Sequence, residues 1–152
     1  NGGGQIVAAG ALDALAQLSA EPVASTRVIP LQVAGAFHTR FMQPAVEALR
    51  AEASTVAPSD PTLTLWTNRD GSTVSSGASA LDLLVGQVAN PVRWDLCMAA
   101  FADGGVTGII ELAPAGTLAG LAKRALRGVP SVALKSPHDL EAAASLLAGA
   151  SS

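Results

Sequence analysis

His38 is the residue whose type and surroundings could do chemistry. It follows Gly35-Ala36-Phe37, after the apolar run Leu31–Val33, and precedes a helical pattern that starts near Thr39. Groups at the carboxyl ends of strands in α/β sheets line the usual ligand crevice. A neutral imidazole there accepts a proton from a nearby hydroxyl and later returns it. A lone histidine serves as readily as a structural residue, and position alone leaves both readings open. Gln87 closes a helical pattern just before Asn90-Pro91 and reads, by position, as a polar helix end. Gly77-Ala78-Ser79-Ala80-Leu81 comes nearest to a nucleophile elbow, but it follows no strand pattern and reads as a helix cap.

Three other features carry less. Cys97 is the sole cysteine, which excludes an internal disulfide and a cysteine-based zinc cluster. Its neighbours Trp94, Leu96, Met98 and Phe101 predict a buried, unreactive thiol. Lys123, Arg124 and Arg127 form a basic face on one helix, read either as a solvated surface or as a meeting point for an acidic partner. His138 lies in Ser136-Pro137-His138-Asp139, which caps the last helix and takes no other role.

The elements that must position these residues alternate. Strand patterns are predicted at Gln5–Gly10, Arg27–Val33, Thr62–Thr67, Val106–Leu112 and Ser131–Leu134. Helical patterns are predicted at Ala11–Ala20, Thr39–Ala53, Ala80–Val88, Val92–Ala102, Thr117–Arg127 and His138–Ala148. Pro44 falls near a helix start, where a missing N–H costs little. Asn90-Pro91 separates two helices, because the residue before proline avoids helical angles. Asn68-Arg69-Asp70-Gly71 has turn chemistry. The order β-α-β-α-β-α-α-β-α-β-α predicts an α/β protein with a largely parallel sheet. Residues 1–34 form a small βαβ-like unit that suggests half of a ferredoxin-like subdomain.

Composition narrows the class. The 152 residues are 49% hydrophobic and 14% charged, enough apolar matter for one core. A net charge of −3 with scattered basic residues disfavours nucleic acid and anionic membrane surfaces. No apolar stretch approaches the ~20 residues of a membrane span and no signal peptide opens the chain, so the expectation is cytoplasmic. Asn1-Gly2-Gly3-Gly4-Gln5 runs straight into Ile6-Val7, which reads as a start in mid-motif and predicts a fragment. The Ala-rich ending after Ala148 favours a chain terminus, hence a discrete enzyme.

Five ordered motifs resemble one family. Gly35-Ala36-Phe37-His38-Thr39, with Met42 and Pro44 after it, is similar to the histidine motif of malonyl-CoA:acyl-carrier-protein transacylases and of acyltransferase domains of fatty acid and polyketide synthases. Asn1-x-x-Gly4-Gln5-Ile6-Val7-x-x-Gly10 precedes it, and Asn68-x-Asp70-Gly71 follows. Gln87-x-x-Asn90-Pro91-Val92-Arg93-Trp94 comes next. Glu111-x-x-Pro114-x-Gly116-x-Leu118-x-Gly120-Leu121-x-Lys123-Arg124 closes the series. The likeness runs along nearly the whole chain and corresponds to the family's C-terminal portion.

The resemblance implies an α/β-hydrolase-like core over 35–152 and the second half of a ferredoxin-like subdomain over 1–34. It implies a ping-pong transfer of malonyl from coenzyme A, through a seryl ester, to the pantetheine thiol of acyl carrier protein in fatty acid biosynthesis. His38 matches the general base, and Gln87 the residue whose backbone carbonyl orients it. Phe37 matches an aromatic that crowds out a methyl branch, and Asn1 an asparagine near the substrate. The complete enzyme is expected to need no metal and no prosthetic group. The elbow serine and the carboxylate-binding arginine lie upstream of the matched region; Arg40 and Arg93 belong to other motifs. A base without its nucleophile cannot run the reaction, so these residues alone are expected to be inactive without the missing N-terminal segment. The rivals are an acyltransferase or hydrolase for another acyl group, and a non-catalytic module that docks carrier protein.

Overall fold

Capping side chains and one proline set where the helices Gln43–Ala53 and Gly77–Gly86 begin. The computed structural model describes residues 1–150, and the chain divides into two compact units. One is Ile6–Val92; the other is Asn1–Gln5 together with the chain from Arg93 onward.

The unit Ile6–Val92 contains α1 (Leu12–Ala20), α2 (Gln43–Ala53) and α3 (Gly77–Gly86). Thr39 ends the histidine loop: its hydroxyl donates to the Ala36 carbonyl at 2.6 Å and accepts from the Phe41 N–H at 3.3 Å. A 3-10 turn, Arg40–Met42, leads into α2, where Pro44 occupies the first turn without losing a hydrogen bond. Ser76 caps α3, and the Asp60 carboxylate accepts from the Gly77 N–H at 2.9 Å. A Cβ at Gly77 would lie 2.2 Å from the Ser59 carbonyl oxygen, so only glycine fits there. α2 packs on α3 through Val46, Val85 and Ala89, with Met42 and Ala53 closing the cluster. α3 ends in a second 3-10 turn, Gln87–Ala89.

The other unit contains α4 (Trp94–Asp103), β1 (Ile109–Glu111), α5 (Thr117–Ala125), β2 (Ser131–Ala133) and α6 (Leu140–Ala150). β1 and β2 pair in parallel, Ile109 opposite Ser131 and Glu111 opposite Ala133, with α5 as the crossover. Met98, Ala122 and Leu126 form the core, ringed by Trp94, Phe101, Ile109 and Val129. Trp94 and Phe101 meet edge to face at 6.0 Å. Cys97 is buried on α4, as its apolar neighbours predict. Glu111 is buried too, and its carboxylate spans the start of α5: it accepts from the N–H groups of Gly116 (2.8 Å), Leu118 (2.9 Å) and Ala119 (2.8 Å). Those three donors, Ala119 first, hold its carboxyl below the usual range.

This is an α/β chain with a parallel sheet, as the element order predicts, but the sheet is smaller than expected. Among the described residues it has two strands. The apolar runs Gln5–Gly10 and Arg27–Val33 form no strand, and at Thr62–Thr67 there is an isolated bridge from Trp66 to Thr73. A strand exists only when a neighbour takes its N–H and C=O groups; no described segment does so along Ile6–Gly10 or Arg27–Val33, and Thr62–Thr67 is paired only around Trp66. The same runs stay open to solvent: Ile6 is 87% exposed and Leu63 84%. The helices arise within four residues of their predicted starts: α5 begins at Thr117 as predicted, α2 begins four residues late after its 3-10 turn, and α6 is preceded by a 3-10 turn over Pro137–Asp139.

Candidate active site around His38

His38 carries a left-handed backbone, with φ of 63°. Such a conformation persists in a non-glycine residue where its surroundings over-determine it. Two hydrogen bonds do so. The His38 backbone N–H donates to the Val88 carbonyl at 2.9 Å, and its Nδ1 lies 2.7 Å from the preceding carbonyl, that of Gln87. The 3-10 turn after α3 thus grips the residue at backbone and ring together.

The ring contact fixes the chemistry. A carbonyl oxygen can only accept, so Nδ1 carries the proton and donates. In the neutral ring Nε2 is then a bare lone pair, the form a general base requires. The Gln87 carbonyl also accepts from the Asn90 N–H at 3.2 Å, and the Asn90 side chain donates to the Gly86 carbonyl at 2.8 Å. Asn90 therefore ties down the turn that holds the histidine. The imidazole is exposed in this chain, and Phe37 beside it is 50% exposed. Both face open space.

The Gln87 side chain points elsewhere. Its Oε1 accepts from Asn68 Nδ2, and both amides sit on the wall of a cleft of about 570 Å³ whose other walls include Leu65, Trp66, Leu81 and Leu84. Asn68 belongs to a tight reversal of the chain. Thr67 N–H donates to the Ser72 carbonyl (2.9 Å) and Val74 N–H to the Leu65 carbonyl (2.8 Å). Asp70 accepts from the Ser72 hydroxyl (2.6 Å) and N–H (3.0 Å), which lowers its carboxyl pKa to about 2. Sequence reasoning recognised the turn but assigned Asn68 nothing; its spacing before Asp-Gly was the signal.

The remaining candidates sit as follows. Asn1 belongs to the other unit, where its ammonium donates to the Gln5 carbonyl at 3.1 Å and its side chain reaches Gln5 Oε1 at 3.5 Å. Ser79 lies in the first turn of α3, its N–H bonded to the capping Ser76, and not on an elbow. The Arg40 guanidinium lies over the Phe41 ring at 5.3 Å. Arg93 grips Asp95 with two bonds of 2.9 and 2.6 Å, and this partner lowers the Asp95 pKa to about 2. Lys123, Arg124 and Arg127 are exposed, Arg124 reaching Gln5 at 3.4 Å. Among the described residues no three His, Cys, Asp or Glu side chains gather where they could hold a metal, and no helix is long and apolar enough to cross a membrane.

Known proteins are similar to this chain in sequence and fold. No family model matches the chain. Curated relatives do: it is 56% identical over 146 residues to the malonyl CoA-acyl carrier protein transacylase of Mycobacterium tuberculosis, covering 96% of this chain and 48% of the relative. It is 32% identical over 148 residues to the protein of the same name from Escherichia coli K12, with the same coverage. The chain thus spans about half the length of the curated relatives it matches. Among solved structures, MCAT from Mycobacterium tuberculosis superposes with a TM-score of 0.83 at 55% identity, over 88% of this chain and 44% of that one. A malonyl-transacylase solved in complex with a type II PKS acyl-carrier protein gives 0.69 at 28% identity, over 77% and 38%. By sequence and fold, this chain belongs to the malonyl-CoA:acyl-carrier-protein transacylases and is the C-terminal portion of one.

Proposed function

We propose that the complete enzyme carrying this chain transfers malonyl from coenzyme A to the phosphopantetheine thiol of acyl carrier protein, in fatty acid biosynthesis in the cytoplasm. The observation that carries the reading is the bond from His38 Nδ1 to the Gln87 carbonyl, at 2.7 Å, in a chain 56% identical to a named transacylase. It leaves Nε2 as the base.

The steps balance through that nitrogen. Nε2 takes the proton of a serine hydroxyl as the oxygen attacks the thioester carbonyl. The tetrahedral intermediate collapses, the carbon–sulfur bond breaks, and the imidazolium returns the proton to the departing coenzyme A thiolate. In the second half the carrier protein's thiol gives its proton to Nε2, attacks the seryl ester, and the serine leaves reprotonated. The Gln87 carbonyl holds the ring and partly offsets its transient charge. Asn1 would bond the acyl or pantetheine group. No metal or prosthetic group is needed by this chemistry.

The serine and the cation for the malonyl carboxylate are assigned to an N-terminal segment outside this chain. Residues 1–34 then complete a small ferredoxin-like subdomain and 35–152 the core. Large apolar side chains bare to solvent support this, Leu12 at 86% and Leu112 at 72% among them. They fit surfaces that further polypeptide covers. Mass spectrometry of the complete enzyme after brief exposure to malonyl-CoA should find a malonyl ester on a serine outside these 152 residues. The purified chain alone should transfer none. Malonyl on Cys97 or on a serine of this chain overturns the reading.

Phe37 is proposed to enforce the choice of acyl group, because its ring fills space that an α-methyl branch requires. Phe37→Ser in the complete enzyme should reduce the preference for malonyl-CoA over methylmalonyl-CoA by roughly tenfold or more in kcat/KM. An unchanged ratio removes the steric role.

A further inference from the structure

We infer that Asn68 is a positioning residue for the proton transfer: through the side chain of Gln87 it fixes the peptide whose carbonyl holds His38. The inference rests on the function proposed above, and it gives the Asn68-x-Asp70-Gly71 motif a task.

A chain of bonds links Asn68 to the imidazole. The direction of the imidazole is set by the Gln87 carbonyl, which accepts from Nδ1. That carbonyl lies in a 3-10 turn, where bonds are poorer than in an α-helix and the peptide planes tilt more freely. Asn90 restrains the turn from its far side. The side chain of Gln87, with three rotatable bonds, would leave the near side loose unless something held its end. Asn68 Nδ2 does so by donating to Gln87 Oε1.

Asn68 can serve as an anchor because its own backbone is fixed. Thr67 beside it is buried and bonds the Ser72 carbonyl. Gly71 accepts a φ of 75°, where a side chain would be strained, and its N–H closes on the Thr67 carbonyl at 2.9 Å. Asp70 staples the returning segment through Ser72. The three residues of the motif therefore divide the work: Gly71 and Asp70 shape the turn, and Asn68 reaches from it to the residue behind the base.

The test is a double-mutant cycle in the complete enzyme. Asn68→Ala should lower kcat for malonyl transfer roughly tenfold while changing KM for malonyl-CoA less than about twofold. Gln87→Ala keeps the backbone carbonyl but cuts the same link from its other end, and should lower kcat similarly. The double variant should be no worse than either single one, because one link is lost in all three. Nitrogen-15 spectra of the His38 ring should show Nδ1 protonated in the parent and a mixture of tautomers in both single variants. Multiplying effects on kcat, or an unshifted tautomer in Asn68→Ala, overturns the inference. If Asn68→Ala fails to fold, Gln87→Ala decides through the same spectra. Should His38→Ala itself retain activity, the proposed function fails; should His38→Ala be inactive while both amide variants match the parent, this inference alone fails.

Discussion

His38→Ala in the complete enzyme lowers kcat/KM for malonyl transfer by about 10³-fold, within the 10²–10⁴ that a positioned proton-transfer group supplies. Both half-reactions suffer, because the same Nε2 takes the serine proton in the first and the thiol proton in the second. The seryl ester should therefore form slowly and, once formed, persist. KM for malonyl-CoA should move little, since the ring acts on the reacting proton and not on the bulk of the substrate. His38→Gln is a stricter version: its amide can still donate to the Gln87 carbonyl and fill the loop, yet it has no basic nitrogen. If either variant keeps more than about a tenth of the parent rate, His38 is not the base, and the bond at 2.7 Å to Gln87 is merely structural.

That bond also marks how far the amino-acid order could be read. Local periodicity and caps found the helices, because those signals lie within one or two turns. Pro44 in α2 and Asn90-Pro91 after the second 3-10 turn act on their neighbours, whereas the Ser76 cap that starts α3 three residues early was not read. The parallel pair β1–β2 was legible for the same reason, as two apolar runs around an amphipathic crossover. The runs at 5–10 and 27–33 have the composition of strands but not the condition for being one, which is a neighbour. Composition does not encode that.

The site divides along the same line. His38 stood out as a loop histidine, but 49 residues separate it from the carbonyl that orients it. No spacing rule joins the two; their pairing was expected from the family resemblance, and the geometry of Ile6–Val92 supplies the bond. Asn68 was visible as a turn former and as one letter of a motif, without a role of its own. A turn's residue types specify the backbone reversal, whereas the target of a side chain that leaves the turn depends on what the rest of the fold brings near it. Glu111 likewise appeared as one letter of a motif, and its partners Gly116, Leu118 and Ala119 explain why a carboxylate at a strand end belongs there.

Glu111→Ala should be the most destabilising single change in the unit formed by α4 to α6. The first N–H groups of a helix have no partner within it, and at α5 those of Gly116, Leu118 and Ala119 are satisfied by one buried carboxylate. Alanine leaves all three unpaired in a place where water replaces the lost acceptor poorly. A fall in thermal midpoint of roughly 5 °C or more is expected for the complete enzyme. Glu111→Gln should not rescue it, because the amide presents an NH₂ where an acceptor is required. The pH dependence separates this charge effect from a simple loss of packing. The Glu111 carboxyl titrates below its ordinary value in the folded chain, so the folded state binds its proton less readily than the unfolded state. The stability it contributes is complete above the unfolded value, about 4.3, and is lost as pH falls through the lower, folded one. The gap in thermal midpoint between parent and Glu111→Ala should thus be constant from pH 8 to about 6 and narrow as pH is lowered through about 4. A gap that stays the same width in acid would show that Glu111 acts through its bulk, and that the charge at the start of α5 contributes nothing.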